Sequence, residues 1–143
     1  MPAKAEKISH KYPNKVVIGA DTIVVFNEQI FGKPKDKNES MKMLKALSGN
    51  RHKVITGVTI MSEKLGFLKT FSETTKVFVQ KIPTKQIEFY VNNYNTLEKA
   101  GSYGIQEWFS VWIKKVNGCY YNVMGLPVSK LYKYLVEIER LMK

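Results

Sequence analysis

The stretch from Val16 to Pro34, VVIGADTIVVFNEQIFGKP, constrains this chain most. It reads as a strand, a Gly-Ala-Asp-Thr segment, a turn at Asn27-Glu28-Gln29, a short return strand at Ile30-Phe31 and a Gly-Lys-Pro. Its continuous apolar beginning is the pattern of a strand covered on both faces. Asp21 interrupts that run, and a carboxylate buried there costs several kcal/mol unless it is paired, hydrogen-bonded or bound to a cation. Two arrangements meet this demand. Asp21 and Thr22 end a strand while Lys33 sits on a solvated loop, or Asp21 faces a cleft towards which the turn returns Lys33. The second suits a metal-bound phosphate ester.

The rest of the chain supplies helices and strands for one α/β domain over residues 1–143, a twisted mixed sheet flanked by helices. Residues 4–13 read as the tail of a helix stopped at Tyr12-Pro13. Asp36 followed by Glu39 is a capping box for a helix over residues 37–48, with Met41, Leu44 and Leu47 on one face and Gly49 as its stop. HKVITGVTIM and FLKTFSETTKVFVQ, joined by Glu63-Lys64-Leu65-Gly66, read as a long antiparallel hairpin. Pro83-Thr84 opens a helix with Ile87, Val91 and Tyr94 inward. KAGSYGIQEWF reads as a loop whose backbone approaches something closely. SVWIKKVNGCYYNV predicts a second hairpin around Asn117-Gly118. Pro127 opens the last helix, its stripe being Leu131, Leu135, Ile138 and Leu141 or Met142.

Composition adds exclusions. No apolar run reaches the roughly 18 residues of a membrane span, and the opening residues lack the apolar centre of a signal peptide, so a cytoplasmic protein is expected. The single Cys119 forms no internal disulfide, and no zinc-type Cys/His spacing occurs. There are 23 Lys and Arg against 12 Asp and Glu, a net charge of +11, which favours polyanionic partners. The lysines are dispersed, so this argues only weakly for phosphate.

GADT at 19–22, GKP at 32–34, LSGNRHKVITGV at 47–58, KAGSYGIQ at 99–106 and NVMGLPVSKL at 122–131 together resemble the Maf family of nucleoside triphosphate pyrophosphatases. The resemblance runs from Lys4 to about Leu135, in the family's order and spacing. It implies an α/β fold related to the inosine triphosphatases. It also implies hydrolysis between the α and β phosphates with a divalent cation, Mg2+ or Mn2+. Asp21 matches the family's catalytic proton acceptor and is suited to organising the metal. Lys33 and Lys4 match lysines that contact phosphate. Thr22 and Gln106 match positions tied to base selection, and Gly-Ile-Gln is the form of the dTTP/UTP branch.

Members of the family begin with a strand and a Ser-x-Ser-Pro-Arg-Arg anion loop, whereas here Met1-Pro2-Ala3 leads at once to Lys4. The resemblance therefore implies an incomplete cleft, weak or missing turnover, and a strand edge open to a second copy, in keeping with the dimers the family often forms. Two rival functions remain: nucleotide binding without turnover, and a basic nucleic-acid-binding module supported only by the charge and by aromatics such as Trp108 and Trp112. No RNA-binding motif favours the latter.

Overall fold

A computed structural model describes residues 2–143 of the chain, Pro2 by its backbone alone. Five strands are paired in the order β2-β1-β3-β4-β5, every pairing antiparallel. They are β1 (Val17–Phe26), β2 (Gln29–Phe31), β3 (Arg51–Ser62), β4 (Phe67–Val79) and β5 (Ile113–Asn117). The helices are α1 (Pro2–Lys11), α2 (Lys37–Leu47), α3 (Thr84–Asn93), α4 (Tyr120–Met124) and α5 (Val128–Leu141). This is the expected α/β class.

Side chains alternate across a strand, so β3 sends Val54, Val58 and Ile60 to one face. On that face Val54 joins Val24, Val77, Leu44 and Leu47 beneath α2 and α3, while Val58 and Ile60 join Phe71, Leu131 and Ile138 beneath α5. Leu44 and Leu47 are fully buried, each contributing about 1.5–3 kcal/mol relative to exposure. Asp36 starts α2 as expected, its carboxylate accepting a 2.8 Å hydrogen bond from the Glu39 amide. Thr59, on the opposite face, is also buried, where α1 packs across β1 and β3 with Ala5 and Ser9 inward.

Four expectations need correction. β1 is not covered on both faces: Ile18, Ala20 and Asp21 are exposed. β2 pairs only with Val24–Phe26, so among the described residues the outer edge of β1 over 17–23 has no strand beside it. Such an edge can recruit another strand. The predicted hairpin after Trp112 has only one strand arm. Gly118 adopts φ 130°, and a Cβ there would lie 2.9 Å from the Thr75 hydroxyl. The chain turns against β4 at this point, and residues CYYNV enter α4 instead of returning as a strand. Trp108 and Trp112 are not free surface aromatics; both are partly buried against the core, Trp108 stacking on Tyr90 and Tyr94. The stripe of α5 ends at Ile138, since Leu141 and Met142 are exposed.

Candidate active site

The open edge of β1 forms one wall of a cavity of about 570 Å3, within the range of small-ligand sites. Ala20 to Val24 provide that wall, Gly32 and Lys33 follow from β2, and residues 98–106 arch over it. Val123 to Gly125, at the end of α4, form the base. Asp21, Thr22, Lys33 and Gln106 are thus brought together from separate points in the sequence. Lys4 is not: it is exposed on α1 and does not line the cavity.

Asp21 lies opposite Gly57, where an added Cβ would meet nothing within 4 Å, so the sheet leaves open space beside the carboxylate. Asp21 is exposed and forms no ion pair among the described residues. The burial cost expected from the sequence therefore does not arise. Thr22 is half-buried on the cavity wall. Its hydroxyl is 2.9 Å from that of Thr56 and 3.5 Å from the Gly125 carbonyl, and the Thr56 hydroxyl donates to the Asn122 carbonyl at 3.3 Å.

The arch is fixed in three places. The Gly101 amide donates to the Gly32 carbonyl at 3.1 Å, setting the arch beside the Gly-Lys-Pro segment. Gly101 has φ 71°, and a Cβ on it would stand 2.8 Å from a Val24 methyl, so no larger residue fits this approach. Tyr103 is buried and its hydroxyl lies 2.6 Å from Nε2 of His52 on β3. Lys99 donates to Glu107 at 2.9 Å, and Glu107 also accepts from Tyr90. Burial pushes the Glu107 carboxyl up, but the Tyr90 and Lys99 hydrogen bonds and the Lys99 charge outweigh it and hold it below its ordinary value. Burial pushes both tyrosine hydroxyls upward.

Sequence reasoning missed Glu98 and Lys99 as cavity residues, although Lys99 opens the KAGSYGIQ motif. It also left His52 unassigned. Burial lowers the imidazole from 6.5 to about 4. The unfolded chain therefore binds a proton that the folded chain refuses, and the stability this gives is fully present above pH 6.5 and lost as pH falls to about 4. About 3 kcal/mol is expected to disappear across that window. Urea melts at several pH values check this, and His52→Gln, which does not titrate, should flatten the slope between those limits.

An α/β protein whose antiparallel sheet carries a cavity lined by Lys33, Lys99, two carboxylates and an exposed amide is suited to an anionic ligand. The family described as Maf-like protein matches residues 2–138. A dTTP/UTP pyrophosphatase of Clostridium botulinum (strain Kyoto / Type A2) is 47% identical over 138 residues, covering 94% of this chain and 71% of that protein. Proteins of the same name from Carboxydothermus hydrogenoformans and Koribacter versatilis are 42% and 41% identical, with 72% and 67% of their lengths covered. The chain belongs to the Maf family. Among its described residues no helix is long and apolar enough to cross a membrane.

Proposed function

We propose that this chain hydrolyses dTTP and UTP to the nucleoside monophosphate and pyrophosphate. The observation that carries the reading is the convergence of Asp21, Lys33, Lys99 and Gln106 on one cavity, in a chain 47% identical to a dTTP/UTP pyrophosphatase. Asp21 accepts a proton from water as that water attacks the α-phosphorus. The bond from this phosphorus to the α–β bridging oxygen breaks, and pyrophosphate leaves with the electron pair. Lys33 and Lys99 balance the charge of the phosphates, the main demand of such a transfer. Lys4, exposed on α1, is a further phosphate contact on the family resemblance alone.

The hard oxygens lining the cavity, those of Asp21 and Glu98, fit Mg2+ or Mn2+, cations that take one or two carboxylates and complete their shell with phosphate and water. When bound there, the cation would neutralise phosphate charge. No group of three metal-binding side chains occurs among the described residues, so the remaining ligands in this proposal are those of the substrate and solvent.

Base choice falls to Gln106 and Thr22. If Thr22 donates to Thr56, and Thr56 to the Asn122 carbonyl, both hydroxyl protons are committed and Thr22 presents lone pairs to the cavity. An acceptor there suits N3–H of thymine or uracil, and the exposed Gln106 amide can both donate and accept along the same edge. The test is pyrophosphate release from dTTP, UTP and the purine triphosphates with Mg2+. Gln106→Leu should lower kcat/KM for dTTP and UTP by about 10–100-fold and leave any purine rate unchanged. Equal rates on purines and pyrimidines in the unaltered chain would overturn the substrate assignment.

A further inference from the structure

The sheet face that α1 covers at one end is open at the other, and there it carries four cations in two cross-strand rows. Lys53 of β3 lies directly opposite Lys76 of β4. In the next row, Arg51 faces Phe78, which in turn faces Lys115 of β5. Arg51, Lys53 and Lys76 line a cleft of about 300 Å3 with Val25 and the Asn27-Glu28 turn. Lys115 places its ammonium 5.5 Å over the Phe78 ring.

Like charges directly opposite each other destabilise a sheet. Among the described residues none of these four cations forms an ion pair, and Glu28 is the single carboxylate on the cleft lining. The Lys53–Lys76 juxtaposition is therefore a standing cost that a bound anion would relieve. The net charge alone pointed diffusely to polyanions, but the strand register gathers part of it at one place.

We propose that this cleft is a second anion site, separate from the Asp21 cavity, which takes a run of successive phosphates. Neighbouring strands lie about 4.8 Å apart and same-face residues along a strand about 6.8 Å. The cations therefore form an extended array, suited to a linear chain of phosphates more than to one compact anion. Arg51 supplies a fork for phosphate oxygens, and the lysines act as point charges. Two sources share this chemistry: single-stranded nucleic acid, for whose bases Phe78 adds an aromatic surface, and free polyphosphate.

The experiment measures fluorescence anisotropy of a labelled short oligothymidylate on the whole chain across a salt series, with inorganic tripolyphosphate as competitor. Lys53→Gln/Lys76→Gln is compared with Lys42→Gln/Lys45→Gln, which removes the same charge from the exposed side of α2. The cleft variant should weaken binding at least about ten-fold and reduce the salt slope by about 1.4, with the α2 variant changing far less. Its melting temperature should rise, because the repulsion is gone, so lost binding is not lost folding. Displacement by tripolyphosphate identifies a site for phosphate chains in general, and resistance to it a site for nucleic acid. Equal losses in both variants, or no salt-dependent binding by the unaltered chain, would overturn the proposal. So would loss of binding on Lys33→Gln/Lys99→Gln instead, which would put the oligonucleotide in the Asp21 cavity.

Discussion

Asp21→Asn is expected to reduce pyrophosphate release from dTTP by about 10^2- to 10^4-fold, the usual contribution of a positioned general base. Its melting temperature should match that of the unaltered chain. Asp21 is exposed, lies opposite the bare Gly57 and holds no ion pair among the described residues, so asparagine keeps the shape and removes only charge and basicity. Mg2+ dependence separates the two roles proposed for this carboxylate. Recovery of the rate at raised Mg2+ would make Asp21 chiefly a metal ligand, whereas a loss that no Mg2+ concentration repairs identifies the base. Glu98→Gln is the companion measurement, because Glu98 is the other carboxylate on the cavity wall. If it abolishes turnover while Asp21→Asn does not, Glu98 is the base and Asp21 is not.

Local signals in the sequence carried most of the elements. The Asp36–Glu39 cap, the long β3–β4 hairpin and the Ile87–Val91 helix face are decided by residues close in the chain. The close approach expected of KAGSYGIQ is the contact of Gly101 with Val24, a residue far back in the chain whose identity no local pattern reveals. The expectations that failed depended on neighbours. A continuous apolar strand looks doubly covered whether or not other elements pack on its two faces, and Ile18, Ala20 and Asp21 of β1 are left exposed. Asn117-Gly118 is a sound turn signal, yet the element after a turn is set by the surface the chain meets there, in this case Thr75 of β4. The cavity residues were legible through the family motifs, and Lys99 escaped because its motif suggested a backbone role. Lys4 matched a motif by spacing, but spacing along a helix does not determine which way an exposed lysine reaches.

The second large effect is expected at Asn122, a residue of the NVMGLPVSKL motif that has no direct contact with the proposed substrate. Its side chain is fully buried and its amide nitrogen lies 3.1 Å from the Val54 carbonyl, 3.1 Å from the Glu73 carbonyl and 3.0 Å from the Thr75 hydroxyl. The two N–H groups of one amide thus serve acceptors on two strands, while the Asn122 backbone carbonyl receives Thr56. α4 is only five residues long and cannot hold itself in place by its own hydrogen bonds. Asn122→Ala leaves a cavity and strands these acceptors, which should cost about 2–4 kcal/mol and lower the melting temperature by on the order of 10 °C. The effect reaches the site as well, since Val123, Met124 and Gly125 come directly after it on the cavity base and the Gly125 carbonyl lies 3.5 Å from the Thr22 hydroxyl. With the base of the cavity loosened, KM for dTTP should rise well below the melting transition, whereas a purely global destabilisation would leave KM unchanged there. Thermal melting and steady-state kinetics on the same preparation read both quantities. An unchanged melting temperature would mean that the Thr75–Cys119 hydrogen bonds alone hold α4 against the sheet.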